Sequence, residues 1–389
     1  MAKLTLKDLP LKNARVLMRV DYNVPISEGE ISDDSRIVAS IPSIEYVIKQ
    51  GGSVILMSHL GRPKGKDPKL SLKPCAKRLS ELLKIDVQMA PDCIGTEVET
   101  LATNLKPGQV LLLENVRFYE AEEDPKKDPS FALNLSKLGS CFVNDAFGTA
   151  HRAHSSTAVI AQFFPKASAM GFLIEKELEQ LNPLIQNPKK PFYAIIGGAK
   201  ISSKIGVIKQ LLKRVDGIFI GGGMAFTFLK AQGIEIGNSI CEDPKTIKDL
   251  PQNKLHLPID LVISDAPSND GKIEIIPSSQ GIPKGWQGMD IGPQTVLAWS
   301  KLLATGSTIF WNGPLGVFEM PHFAAGTKAI AEILAGSKAK TVIGGGDSVA
   351  AIHQMHLEDK FSHLSTGGGA SLEFLEFGHL PGIDALTNK

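Results

Sequence analysis

In the first half of the sequence, Arg36, His59, Arg62, Arg117, His151 and Arg152 fall in polar loops or helix starts that follow apolar runs. A guanidinium grips carboxylate or phosphate through paired N–H bonds, and an imidazole adds a further donor or acceptor. One arginine in such a place is more often a solvated surface charge. Several at successive strand ends point instead to a small, highly anionic ligand. The second half offers different chemistry. Glycine-rich turns at residues 197–198, 221–223, 344–346 and 367–369 each precede a helix-forming run, with Lys200, Lys204 and Asp347 nearby. Glycine allows positive φ and close approach of a ligand to the backbone. The helix start behind it offers free N–H groups to phosphate. The two halves together suggest two anionic ligands, one per half.

The stretch TVIGGGDSVA, residues 341–350, leaves two readings open. In one, the turn cradles phosphate and Asp347 adds a carboxylate for a hard cation that the phosphate carries. In the other, the glycines make a tight turn and Asp347 or Ser348 is a helix N-cap. Lys200 and Lys204, four residues apart at the expected start of a helix over 201–214, are expected to point to one side.

Strands alternating with helices must position these groups. Apolar runs at 14–20, 53–57, 85–89, 110–113 and 141–143 read as strands, with helices over about 33–50 and 73–83 and a short one before 141. A helix over 169–185 ends near Pro188 and Pro191, a natural link between domains. Strands then recur at 192–196, 217–220, 261–264, 308–311 and 341–343, with helices over 224–231, 296–304 and 371–377. This order predicts parallel βαβ units, whose ligands sit at the carboxyl ends of the strands.

A chain of 389 residues is long enough for two domains. Its 42 Lys+Arg against 41 Asp+Glu leave a net charge of +1, without the basic excess of a general nucleic-acid or membrane-surface binder. The four scattered cysteines form no C-x-x-C pair, which fits reduced thiols in a cytoplasmic protein. The opening MAKLTLKDLPLKN lacks the apolar core of a signal peptide, and no stretch approaches the roughly 18 apolar residues of a membrane span. A soluble, cytoplasmic protein is expected. Neither the Walker spacing G-x-x-x-x-G-K-[ST] nor the dinucleotide fingerprint G-x-G-x-x-G is present, and the protein-kinase, nucleophile-elbow and H-E-x-x-H motifs are absent too.

What is present is a set of longer segments: RVDYNVP (19–25), SHLGRP (58–63), ENVRF (114–118), NDAFGTAHRAHSS (144–156), GGAKISSK (197–204), GGGMAFTFLK (221–230), WNGPLGVFE (311–319), GGGDS (344–348) and STGGGASLE (365–373). In these segments, and in their order, the chain resembles the phosphoglycerate kinases almost from end to end. The resemblance implies an α/β fold of two Rossmann-like three-layer lobes with parallel sheets, separated by a cleft and joined by a hinge helix. It implies an N-terminal substrate lobe over 1–170, a linking helix over 171–188, a nucleotide lobe over 189–370 and a returning segment over 371–389. The implied enzyme is a glycolytic and gluconeogenic phosphotransferase. It moves a phosphoryl group from 1,3-bisphosphoglycerate to ADP, giving 3-phosphoglycerate and ATP, with Mg2+ on the nucleotide. A monomer is implied, with no nucleic-acid or membrane partner.

Carried onto this sequence, the substrate residues would be Asp21, Tyr22, Asn23, Arg36, His59, Leu60, Gly61, Arg62, Arg117 and Arg152, with His151 as a further candidate. Asp21 would orient basic neighbours, since carboxylate and phosphate repel. Lys204 and Lys200 would hold the nucleotide phosphates or the group in flight and, with Arg36, form the catalytic set. Glu319 would contact the ribose. Gly345, Gly346, Asp347 and Ser348 would cradle phosphates, with Asp347 taking the metal. Glycines 221–223 would let the adenine lie against backbone, and glycines 367–369 would offer further amides. The family commonly has threonine where this chain has Ser348. A different small-molecule kinase should lack the arginine rim, and a non-catalytic sensor should have lost Arg36, Lys204 or Asp347.

Overall fold

The computed structural model describes residues 2–27 and 29–389. The chain divides into two compact units, one of residues 1–179 with 379–389 and the other of residues 180–378. Each is built on its own six-stranded parallel sheet.

In the first unit the strand order is Val87–Met89, Val110–Leu112, Ser53–Met57, Arg15–Arg19, Cys141–Asn144 and Ser168–Met170. The middle strands are buried on both faces, as parallel strands covered by helices are. Register aligns Arg19 with Met57 on one side and Asn144 on the other, so the loops beginning at Val20, Ser58 and Asp145 leave from one edge. That edge carries every basic group singled out in this half except Arg36. Arg36 stands at the start of the Ser35–Lys49 helix.

The helix expected from Ala169 begins instead at Phe172. Ser168–Met170 is a sixth strand, drawn into the sheet by pairing with residues 142–144. Gly171 separates the two. A Cβ at Gly171 would lie 2.2 Å from Asp145 Cγ, so only glycine lets the strand end pass that carboxyl. The Thr96–Asn104 helix lacked any reading in the sequence; its buried side is only Val98 and Ala102.

In the second unit the parallel order is Leu255–His256, Gly217–Ile220, Phe192–Ile196, Thr308–Asn312, Lys340–Gly344 and His363–Leu364. Asn312 is in register with both Ile196 and Gly344, so three glycine turns leave one edge of this sheet as well. A separate antiparallel sheet, Ile273–Pro277, Asp260–Ser264 and Gln287–Ile291, was unforeseen beyond its middle strand. The Gly368–Phe377 helix packs against Ile205–Leu212 within this unit. Residues 371–378 therefore belong here, and the returning segment begins at His379. In the first unit that segment is fastened by Asn144 Nδ2 on the Gly382 carbonyl at 3.0 Å and by Gly382 N on the Ala150 carbonyl at 2.8 Å.

Candidate active site

In the first unit the loop carbonyls and carboxylates aim the arginines. Arg36 Nη1 donates to Asp21 Oδ2 at 2.9 Å, and Asp21 Oδ1 accepts from Asn23 N at 3.1 Å. Asn23 Oδ1 in turn accepts from Gly61 N at 2.8 Å. Asn115 Nδ2 bonds the carbonyls of Leu60 and Leu70, and Arg117 Nη1 bonds the carbonyl of Gly61 at 2.8 Å. Asp21, Asn23, Leu60 and Gly61 thus tie together the loops that carry Arg36 and Arg117. Arg117 and Arg152 both approach Glu123 Oε1, at 3.1 and 3.6 Å, and Arg152 Nε donates to His151 Nε2 at 3.2 Å. Arg62 is exposed on the same 58–63 loop.

Tyr22 does not belong to this set. Its side chain is fully buried and its hydroxyl bonds Ser40 Oγ at 2.9 Å, which makes it part of the core between sheet and helix. Alternation explains this: Asp21 and Asn23 face the loops, so the residue between them faces inward.

The electrostatics are one-sided. Burial, then the charges of Arg19, Arg117, Arg36 and Arg152, holds the His59 protonation well below the usual histidine range. Burial followed by Arg117, Arg152, Arg19 and His151 brings His154 down to about 3. Burial also lowers Arg117. Such a field favours an anion, whose arrival relieves the repulsion. The sequence reading missed Arg19, fully buried at the end of the first strand, and its partners Ser156 and Glu122. An arginine inside the apolar run ARVLMRV was the available signal.

In the second unit three turns interlock by backbone contact. Gly197 N bonds the Asn312 carbonyl, Gly198 N the Pro314 carbonyl, and Gly222 N the Leu315 carbonyl, each at 2.9 Å. A Cβ at Gly197 would sit 2.1 Å from the Pro314 carbonyl oxygen, so the turns can approach this closely only without it. The helix expected over 201–214 is confined to Ile205–Leu212, with Lys204 at its N-cap. Glu242 holds the preceding loop out of the helix by accepting from Ser202 N and Oγ at 2.7 and 2.6 Å. Lys200 and Lys204 therefore do not share a helix face. Lys200 is exposed, whereas Lys204 Nζ folds back onto the Gly197 carbonyl at 2.7 Å. Burial lowers the Lys204 ammonium to about 8, against the opposing charge of Asp347.

The turn at 344–346 settles its two readings in part. Gly345, with φ of 95°, is the N-cap of the Gly346–Gln354 helix, so neither Asp347 nor Ser348 caps it. Val349 N bonds the Gly345 carbonyl at 3.0 Å, the N-cap's own acceptor. The amides of Gly346, Asp347 and Ser348 precede it and have no intrahelical acceptor. The buried Ser348 hydroxyl accepts from Gly313 N at 2.6 Å, tying two turns together, and in that role it still carries its own O–H donor. A Cβ at Gly368 would lie 3.1 Å from Gly345 Cα, so the start of the Gly368–Phe377 helix closes on the same point. Asn312 was missed. Its Nδ2 is buried without a partner, and a Cβ at Gly345 would come within 2.9 Å of it, so the donor is beside the turn.

A cavity of about 340 Å³ runs from these turns into the unit. Gly222, Gly223, Phe226, Leu315, Glu319 and Asp347 are among its lining residues. Gly221 is excluded, because Leu315 fills the space beside it. A pocket of this size, lined by Phe226, Leu315 and backbone glycines with the exposed Glu319 and Asp347, suits a nucleoside. Among the described residues no three His, Cys, Asp or Glu side chains gather to hold a metal ion.

A phosphoglycerate kinase family model matches residues 6–378. A cytosolic phosphoglycerate kinase of Triticum aestivum is 53% identical over 394 residues, covering 98% of this chain and 97% of the relative. The chain belongs to the phosphoglycerate kinase family. A phosphoglycerate kinase of Moorella thermoacetica is 51% identical with both chains fully covered. The solved phosphoglycerate kinase of Coxiella burnetii superposes with a TM-score of 0.85 at 39% identity over 98% of each chain. The family match spans both the basic rim and the glycine turns, so neither was borrowed from an unrelated module. Phosphoglycerate kinases of this family include cytosolic and chloroplastic forms, and no helix among the described residues is long and apolar enough to cross a membrane.

Proposed function

We propose that this chain catalyses reversible phosphoryl transfer from 1,3-bisphosphoglycerate to ADP, giving 3-phosphoglycerate and ATP. The observation that carries the proposal is the placement of anion-binding groups at the carboxyl edge of each sheet: arginines in one unit, glycine turns with Lys204 in the other. The first unit holds the glycerate through Arg36, His59, Arg62, Arg117 and Arg152. The second holds the nucleotide, its ribose at Glu319 and its phosphates on the amides of Gly346, Asp347 and Ser348 with Asn312 Nδ2. The protein acts as a cytoplasmic monomer, and the Phe172–Gln186 helix links its two lobes.

The nucleophile is a carboxylate in one direction and an ADP oxygen in the other, both ionised at neutral pH, so no general base is required. What the chain supplies is alignment and charge. Arg36, Lys200 and Lys204 stabilise the equatorial oxygens of the transferring group, aided by the helix-start amides. A lone carboxylate at a helix start fits a cation held mostly by the substrate's own phosphates, so Asp347 would bind Mg2+ that arrives with the nucleotide. That ion would neutralise phosphate charge. Transfer needs the two ligands in line, so the lobes must close on them, and closure excludes water that would hydrolyse the acyl phosphate.

The test is 3-phosphoglycerate-dependent consumption of ATP by pure protein with magnesium, coupled to reduction of the bisphosphoglycerate formed. Turnover is expected. Folded protein that consumes no ATP under these conditions removes the proposal.

A further inference from the structure

Four buried side chains of the first unit form a chain of hydrogen bonds whose directions can be counted. Glu122 Oε1 accepts from Ser156 Oγ at 2.7 Å, and Glu122 Oε2 accepts from Ser156 N at 2.9 Å. Having spent its only hydrogen on Glu122, the Ser156 hydroxyl accepts from Arg19 Nε at 2.8 Å. Arg19 Nη1 donates to the Val20 carbonyl, and Nη2 lies 3.1 Å from His59 Nδ1. A guanidinium only donates. His59 Nδ1 must therefore be the acceptor, and in the neutral ring the proton is then on Nε2.

We propose that Arg19 is a positioning residue that locks His59 in the neutral Nε2–H tautomer, so that His59 meets the anionic glycerate ligand as an uncharged donor. The identity of the ligand rests on the proposed function; the tautomer does not. Charge favours the same state. The cationic neighbours of His59 are Arg19, Arg117, Arg36 and Arg152, which all oppose a further positive charge. The buried carboxylate of the network, Glu122, is engaged through Ser156 with the far side of Arg19. Beside the guanidiniums of Arg36, Arg62, Arg117 and Arg152, His59 is thus a neutral donor that binds oxygen without first taking up a proton.

The experiment is a long-range proton–nitrogen correlation on the full-length 15N-labelled chain, with His59 assigned by comparison with His59→Asn. The expected result is an unprotonated Nδ1, a protonated Nε2, no titration between about pH 5.5 and 8, and a shift of the His59 signals on adding 3-phosphoglycerate. A Nδ1–H tautomer, or a His59 that titrates near its ordinary value, overturns the lock in the unaltered protein, whether or not any variant folds. Arg19→Gln can donate or accept, so the lock should be released. Mixed tautomers should appear, and KM for 3-phosphoglycerate should rise about tenfold while KM for ATP stays within about twofold. An unchanged tautomer in that variant also overturns the proposal. No response of His59 to 3-phosphoglycerate removes the ligand half, whereas a response without turnover counts against the enzymatic reading alone.

Discussion

Lys204 Nζ lies 2.7 Å from the carbonyl oxygen of Gly197, folded back over the end of the Phe192–Ile196 strand. The ammonium has that carbonyl as partner and the opposing charge of Asp347, and burial still lowers it to about 8. The depressed value means that the unfolded chain holds more protons above about pH 8. This group's cost is therefore complete at pH 7 and is relieved as pH rises towards the unfolded value. Lys204→Met should leave the ligand-free protein as stable at pH 7 or more so, by about 1 kcal/mol, while lowering kcat on the order of a hundredfold. Thermal melting beside steady-state kinetics checks both. A loss of stability that parallels the loss of rate would contradict this account of Lys204.

Tyr22 gives the opposite pattern. With its hydroxyl on Ser40 Oγ inside the core, Tyr22→Phe should cost about 1 kcal/mol in denaturant unfolding. KM for 3-phosphoglycerate should not move. A KM change of tenfold or more, at about that cost in stability, would return Tyr22 to the substrate site.

Asp145 makes a pH prediction. Burial pushes its carboxyl up to about 7 despite bonds from Leu173 N and Ile174 N at the start of the Phe172–Gln186 helix. A raised carboxyl contributes stability that is complete below its unfolded value and is lost as pH rises through about 7. Asp145→Asn should therefore gain on the parent protein by about 1 kcal/mol or more between pH 5 and pH 8, read from melting temperatures at both. A difference that does not change with pH would mean that the carboxyl is ionised throughout.

Asn312 should act through its amide. Its Nδ2 is buried beside the Gly345 turn with no partner among the described residues, so Asn312→Ala removes a donor that makes no bond within the chain. Weaker ADP binding by about tenfold, with little change in melting temperature, is expected from calorimetry. Equal ADP affinity in the two proteins would assign the residue to the scaffold.

How much of this was legible in the sequence follows the physics of each signal. Apolar runs such as 53–57, 192–196 and 217–220 became strands with the bounds expected, because parallel strands buried on both faces read as unbroken apolar stretches. The 273–277 strand, exposed at four of five positions, gives no such signal. The local pattern around Met170 fits a helix, and only its pairing with Asn144 makes it strand. Among site residues, Arg36, Arg117 and Asp347 could be named from type and position. The tie that Ser348 makes between turns, and the place of Asn312 Nδ2 beside Gly345, depend on which strand ends are neighbours. Sequence does not carry that until the sheet order is known.

The central claim is a division of labour, glycerate on the first unit and nucleotide on the second, and crosswise calorimetry measures it most directly. Arg36→Ala should weaken 3-phosphoglycerate binding by about tenfold or more and leave ADP affinity within about twofold, while Lys204→Ala should do the reverse. Parallel loss of both affinities in either variant would contradict the division.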